Sequence, residues 1–333
     1  MLYKALRPLL FSLEAETAHH VALRAARCLS ALPPVARWLR RNVARPADVP
    51  LERLGLTFPH RVGLAAGLDK NAVAPWAWWG FGFGFLELGT ITPRPQAGNP
   101  RPRMFRIRQQ SALVNRMGFN NDGAEAVAAR LSKLRSRGAP PFPIAISVGK
   151  NATTPIEQAE DDYRSAARIL APLADLVSVN ISSPNTPGLR SLQTPGQAAR
   201  LVEAIREVCQ GRPVLVKFAP ELEGPELDAV VRACLDAGAA GFIATNTLST
   251  RGRDDLPEGG LSGLPLKDIA RERIAAIRRA AGDAALVVGC GGVDDAASAQ
   301  TLLDAGADLV QLYTALVYKG PFLAAAISRG LRR

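Results

Sequence analysis

The sequence predicts an α/β protein, a (β/α)8 TIM barrel carrying an N-terminal helical extension. Three observations predict it. From residue 57 onward, short apolar or β-branched runs alternate with Ala-, Leu- and Arg-rich stretches of helical pattern. Eight such runs fall in the 277 residues 57–333, close to the roughly 250 that such a barrel takes. Residues 1–45, by contrast, are basic and amphipathic with no strand pattern. A doubly wound open sheet is the alternative; no GxGxxG opens a first βα turn, which disfavours it.

In chain order, the extension comes first. Its pattern predicts a helix over 2–10 and another from about Glu14 to Leu29, with Ala18, Val21, Ala22, Ala25 and Leu29 on one face; Pro33-Pro34 then breaks the pattern. Residues 1–45 hold eight Lys/Arg and two acids, so they carry +6 of the chain's net +11. A basic amphipathic pair suits an anionic bilayer surface, and equally a helical pair packed on its own domain. Residues 46–56 read as a Pro-containing linker. Barrel strands are expected near Val62–Ala65, Phe83–Leu88, Ile144–Val148, Leu176–Asn180, Val214–Phe218, Gly241–Asn246, Ala285–Gly289 and Leu309–Tyr313. Helical stretches include 123–136, 156–170, 197–209, 225–237 and 298–305. Two connections exceed what a barrel needs: Thr90–Asn121, with a hairpin around Met104–Val114, and Leu248–Asp268. Long loops after barrel strands usually cover the active site.

Composition narrows the function. The chain is 47% apolar and 21% charged, which excludes disorder and a disulfide scaffold. Its four cysteines form no CxxC and only three histidines are present, so no structural metal site is expected. No apolar run of membrane-spanning length and no clear signal peptide is found. The positive charge invites a nucleic-acid reading, yet no binding motif or aromatic-interleaved basic run supports one.

The expected strand ends are unusually polar: AAGLDKN (65–71), ELGT (87–90), SVGKN (147–151), NISSPNTPG (180–188), Lys217, TNT (245–247), GCGG (289–292) and YT (313–314). In barrels, chemistry sits at these ends, and phosphate sites often form after strands seven and eight. Lys217 interrupts the apolar VLVKFA, so it is either salt-bridged or a fixed positive charge beside an electron-rich ring. Asn115, Asn120, Asn180, Asn185 and Asn246 suggest a small planar substrate read by amides. No histidine lies at a strand end beyond residue 60 and no carboxylate pair stands out. Acid–base work must then use a hydroxyl, a lysine or water, and Ser183, in a proline-constrained loop, is the candidate. No His/Asp partner supports a hydrolase triad.

Several of these stretches, with ELGTITPRPQAGNPRPRMFR (87–106), NRMGFNN (115–121), NISSPNTPGLR (180–190), VKFAP (216–220), GGLSG (259–263) and QLYTALVYKGP (311–321), resemble class 2 dihydroorotate dehydrogenases. These are membrane-associated, quinone-dependent enzymes of pyrimidine synthesis. The resemblance covers nearly the whole chain. It implies FMN as cofactor, with its phosphate at Gly263, Gly292, Tyr313 and Thr314. Ala66, Gly67, Leu68, Asp69, Lys70, Thr90, Asn180 and Thr245 would contact the flavin. Lys217 would stabilise the negative charge of its reduced form. Ser147 stands where many members have asparagine and is carried as a weaker flavin contact. Lys70, Asn115, Arg116, Met117, Gly118, Phe119, Asn180, Asn185, Asn246 and Thr247 would hold dihydroorotate. Ser183 would remove the C5 proton while the C6 hydride passes to flavin N5. Class 1 relatives use a cysteine for this, and none of the chain's cysteines lies in the loop. His19, Arg106 and Tyr313 would form the quinone site, in a tunnel under the N-terminal helices. The implied protein is a monomer on the cytoplasmic face of a bacterial inner membrane, binding no nucleic acid and no metal. A soluble fumarate- or NAD-linked relative and a non-redox phosphate-binding barrel are the rival readings.

Overall fold

The structure is a computed structural model and describes residues 2–136 and 138–332. Eight parallel strands close a barrel in chain order: β1 (Val62–Leu64), β2 (Phe85–Ile91), β3 (Ile144–Val148), β4 (Leu176–Asn180), β5 (Val214–Phe218), β6 (Gly241–Ala244), β7 (Leu286–Cys290) and β8 (Leu309–Leu312), which pairs back onto β1. The anticipated strands are all present. β2 starts later than expected and runs through Ile91, where a register irregularity against β3 follows Leu88. Helices between the strands form the outer ring. They include two that the sequence pattern did not single out, Pro75–Gly80 and Lys267–Ala281.

Side chains alternate inward and outward along each strand. The inward positions change character from one end of the barrel to the other. Where the strands begin, Phe85, Ala145, Leu176, Leu215, Ile243, Leu286 and Leu309 fill the interior. One pleat further along, the same faces carry Glu87, Ser147, Ser178 and Lys217, all buried. The apolar layer supports the fold, and the polar layer above it is the floor of the site.

Residues 46–56 are more than a linker. Leu51–Arg53 and Leu56–Phe58 pair as an antiparallel hairpin. Leu51, Leu54 and Leu56 pack on the apolar barrel layer, and Phe58 is fully buried with its ring edge-on to Phe85, centroids 5.5 Å apart. The hairpin therefore plugs the barrel at the end where the strands begin. Leu54 and Gly55 at its turn both take positive φ, which the Gly55 position accommodates without a Cβ.

The two long connections do cover the opposite end. Met104–Ile107, Ala112–Asn115, Gly260–Gly263 and Leu248–Ser249 join as a four-stranded antiparallel sheet. Each loop lacks a partner for its own edge, and pairing across the mouth supplies one.

The extension forms α1 (Leu2–Ser12), α2 (Ala15–Ser30) and α3 (Pro33–Leu39). Glu14 caps α2 by accepting the N–H groups of Glu16 and Thr17 at 3.0 and 2.8 Å. Pro33-Pro34, expected to end helical structure, instead opens α3, where a proline's missing N–H is no loss. A π-turn, Arg40–Ala44, follows. Ala26 and Ala36 join the main core, and Arg40 is buried with its guanidinium donating to the carbonyls of Trp79 and Phe83 at 3.1 and 3.0 Å. Among the described residues, nine of the ten large exposed apolar side chains, including Leu6, Leu9, Val21, Leu32, Val35 and Trp38, lie in the first 49 residues. Among the described residues no helix is long and apolar enough to cross a membrane.

Candidate active site

The site begins with a buried ion pair. Lys217 Nζ on β5 donates to Glu87 Oε2 on β2 at 3.0 Å. The same carboxylate accepts Ser178 Oγ at 2.7 Å and the Ala66 N–H at 3.2 Å. Burial alone would lower the lysine's pKa. The Glu87 charge and hydrogen bond, with Cys290, outweigh it and hold the ammonium above its usual value. The salt-bridge reading of Lys217 is therefore correct, and it coexists with a place in the cavity wall. Glu87 is the partner that sequence reasoning left unnamed.

A hydroxyl–amide network lies beside the pair. Asn180 donates to Thr90 Oγ1 at 2.7 Å, and Thr90 and Ser147 hydroxyls meet at 2.9 Å. Asn246 donates to Asn180 Oδ1 and Ser182 Oγ at 3.2 and 2.9 Å. Ser183 is 6% exposed, and its Oγ accepts the Asn185 N–H at 3.2 Å. No titratable side chain hydrogen-bonds to it among the described residues.

Two adjoining cavities with partly shared walls form one site region here. Its outer part is lined by Lys70, Thr90, Asn115, Met117, Gly118, Phe119, Asn180, Ser183, Asn185, Asn246 and Thr247, with Ala66 and Gly67 beneath. Lys70 donates to the Gly67 carbonyl at 2.9 Å; burial, with the nearby Arg103 charge, brings its pKa down to about 8. Its inner part is lined by Thr245, Gly263, Gly291, Gly292, Gln311, Tyr313 and Thr314. The two parts share Ala66, Lys217, Asn246, Thr247, Ser262 and Tyr313.

Four expected site residues fall outside this cavity wall. The Asp69 carboxylate is fully buried and accepts the N–H groups of Val73 and Ala74 and the Trp78 indole at 2.8–3.0 Å, so it anchors the turn that leads into the 75–80 helix and ties that turn to Trp78. Leu68 faces the neighbouring apolar chamber. Arg116 turns outward to the Pro102 carbonyl at 2.8 Å and lies over the Phe105 ring. Ser147 sits beneath the cavity, bonded to Thr90.

The inner part suits a phosphorylated cofactor. Gly263 and Gly292 take φ of +100° and +69°, and a Cβ on either would lie 2.5 Å or less from backbone atoms of Ser111 or Lys267. Only glycine fits both positions, which leaves their backbone close to the cavity. Gln311 Oε1 is buried in the same region with no hydrogen-bond partner among the described residues, an acceptor awaiting a donor.

Tyr313 also borders a third space. An apolar chamber of about 520 Å³ lies between α1, α2 and the barrel, lined by residues that include Leu10, Phe11, Ala18, Ala22, Trp78 and Leu316. His19, Arg106 and Tyr313, expected together, all line it. Burial, with the nearby Lys70 and His20 charges, lowers the His19 pKa to about 3, so its imidazole is neutral. Arg106 donates to the Leu13 and Leu10 carbonyls at 2.8 and 3.2 Å and lies 4.7 Å over the Phe11 ring. Its buried Nε has no hydrogen-bond partner among the described residues.

Two further residues escaped the sequence reading. Glu16 is fully buried on α2 and meets Arg103 at 2.8 Å. Burial would raise its pKa, but hydrogen bonds and charge from Arg103, Arg101 and His20 bring it down to about 2. A charge this buried on an amphipathic helix is the signal that could have been followed.

A closed parallel barrel with a polar-walled cavity at its mouth, which shares Met104, Leu113 and Tyr313 with an apolar chamber, defines a barrel enzyme able to hold a polar and an apolar reactant side by side. The chain belongs to the dihydroorotate dehydrogenase family: the profile described as "Dihydroorotate dehydrogenase" matches residues 50–333. It is 47% identical to a dihydroorotate dehydrogenase (quinone) of Deinococcus radiodurans, covering 99% of this chain and 95% of the relative. The corresponding protein of Anaeromyxobacter dehalogenans is 46% identical, covering 100% and 93%. Among solved structures, DHODH from Eimeria tenella in complex with ferulenol superposes with a TM-score of 0.86 at 32% identity, covering 95% of this chain and 90% of that one.

Proposed function

We propose that the chain oxidises dihydroorotate to orotate in pyrimidine biosynthesis, using FMN, and passes the electrons to a membrane quinone. The observation that carries this reading is Tyr313, whose side of the barrel lines the substrate part, the phosphate part and the apolar chamber alike. Relatives named as quinone-dependent over the full length support the acceptor.

When bound, FMN would supply the two-electron redox chemistry between the two reactants. Gly263, Gly292 and Thr314 would hold its phosphate, and Gln311 Oε1 would gain a donor. Ala66, Gly67, Thr90, Asn180 and Thr245 would line its ring system, with Lys217 supplying positive charge where the reduced ring is electron-rich. Lys70 would meet the substrate carboxylate, and Asn115, Asn185, Asn246 and Thr247 its ring amides. Ser183 Oγ would take the C5 proton. Its 6% exposure excludes most water, which strengthens the hydrogen bonds that hold substrate against it.

Quinone would occupy the apolar chamber, with neutral His19 and Arg106 at its wall. The apolar side chains exposed on the first 49 residues and the basic excess there support peripheral attachment to an anionic bilayer, on the cytoplasmic face. The chain would act as a monomer. Turnover of a ubiquinone analogue with dihydroorotate tests the reading, with fumarate and NAD⁺ as competing acceptors; exclusive turnover with either of those would replace the quinone assignment.

A further inference from the structure

Arg103 sits between the two halves of the site. Its Nε and Nη2 donate to the Glu16 carboxylate on α2 at 2.8–3.2 Å. Its Nη1 donates to the carbonyls of Ala97 and Asn99 at 2.6 and 2.8 Å. Both charged side chains are buried. Asn99 continues the connection. Its N–H donates to the Met117 carbonyl at 3.0 Å. Its Nδ2 donates to the carbonyls of Arg116 and Asn185 at 2.9 and 3.3 Å. One guanidinium and one amide therefore join a carboxylate on the chamber helix to both walls of the substrate compartment. One of those walls is the loop that carries Ser183. The turn has no spare room: a Cβ on Gly98, at φ +77°, would lie 2.2 Å from the Met117 carbonyl and 2.8 Å from Arg103 Nη1.

We propose that Arg103 and Asn99 are positioning residues that couple the seating of α2 to the Ser183 loop. The inference takes the identity of the two reactants from the functional reading above. Removing the Glu16 charge leaves a buried guanidinium uncompensated, and it must move toward other acceptors. The Ala97 and Asn99 carbonyls then lose their donor, and Asn99 loses its hold on Asn185. Coupling of this kind is reciprocal: whatever seats α2, a quinone or a bilayer, tightens dihydroorotate binding, and substrate tightens α2. Lying between two sites does not by itself establish coupling, so the test cuts one end and reads the other.

The experiment uses full-length FMN-loaded enzyme, anaerobic and without quinone, and follows flavin bleaching against dihydroorotate concentration. Glu16→Gln touches no substrate, yet it raises the half-saturating concentration about 5- to 10-fold, the effect of losing roughly one hydrogen bond. The limiting bleaching rate stays within about twofold. Asn99→Ala does the same, and the double variant is no worse than the larger single effect, because both cut one connection. Glu16→Asp, which keeps the charge, restores most of the loss, and Arg27→Gln, on the exposed face of α2, behaves as wild type. Wild-type half-saturation in Glu16→Gln, or effects that multiply in the double variant, overturns the coupling. Should Glu16→Gln not fold, Asn99→Ala supplies the reciprocal reading. Pre-reduced Asn99→Ala enzyme then needs more ubiquinone analogue for half-maximal reoxidation, and an unchanged requirement overturns the proposal. Wild-type flavin that dihydroorotate does not bleach contradicts the functional reading itself, before any variant is compared.

Discussion

Lys217 and Glu87 face each other at 3.0 Å across the barrel interior, 5% and 0% exposed. The lysine thus enters the cavity with its charge already balanced on one side. Lys217→Met leaves Glu87 buried and unpaired, and such losses cost about 3–5 kcal/mol. Chemical denaturation is expected to show that loss together with release of flavin. The double variant Glu87→Gln/Lys217→Met recovers part of the stability. The sign with pH follows from the raised Lys217 pKa: the pair's contribution is intact at neutral pH and is lost only as pH rises through that raised value.

Ser183→Ala keeps the flavin and folds as wild type, since among the described residues the hydroxyl accepts only the Asn185 N–H. Bleaching by dihydroorotate slows about 10²- to 10⁴-fold, the usual worth of a positioned general base. Stopped-flow bleaching at a near-wild-type rate would remove Ser183 from that role.

Lys70, at about 8, titrates within an accessible range. Below that value it is an ammonium that would meet the substrate carboxylate under the proposed function; above it, the charge is lost. The kcat/KM for dihydroorotate therefore falls as pH rises through about 8, while Lys70→Gln lowers kcat/KM and flattens that limb. An unchanged basic limb in the variant would assign the titration elsewhere.

His19 is neutral down to about pH 3, so the quinone KM shows no inflection near the ordinary histidine pKa. His19→Ala and Arg106→Ala raise the quinone KM several-fold while dihydroorotate bleaches the flavin at the wild-type rate. Point substitution is the sharper tool here, because deleting residues 1–45 would also strip Ala26, Ala36 and Arg40 from their buried places.

Asp69→Ala destabilises the fold by about 1–3 kcal/mol, the cost of leaving buried donors without an acceptor. Three N–H groups depend on that carboxylate. Flavin bleaching of the folded fraction is unchanged, a result that separates a structural anchor from a cofactor contact in unfolding and single-turnover assays.

The barrel was legible because each strand is a short apolar run bounded by polar turns, and that signal is local. The hairpin over the long 90–121 connection was legible for the same reason. Phe85 followed two residues later by Glu87, and Leu215 by Lys217, place two opposite charges on inward faces. That pairing was within reach of the alternation rule. The plug formed by residues 51–58 was not, since Leu51–Arg53 and Leu56–Phe58 are brief strands in a proline-containing polar stretch. Pairing between the two long loops joins residues 145 or more apart, as Asn115 with Gly260 shows. Glu16 and Arg103 likewise meet only through folding. Among the expected site residues, most of those at strand ends line the cavity, while Ser147 lies beneath it, bonded to Thr90. Asp69 and Arg116 were displaced from the cavity because their local hydrogen-bond partners, Val73, Ala74 and Trp78 or the Pro102 carbonyl, turn their side chains away.

The most direct measurement is anaerobic. L-dihydroorotate is added to purified enzyme, the flavin absorbance is followed, and a ubiquinone analogue is then added. Bleaching followed by recovery is the predicted result, because a flavin in the cavity would meet dihydroorotate there and quinone in the adjoining apolar chamber. A flavin that dihydroorotate leaves oxidised, or that quinone fails to restore while fumarate or NAD⁺ succeeds, would contradict the account.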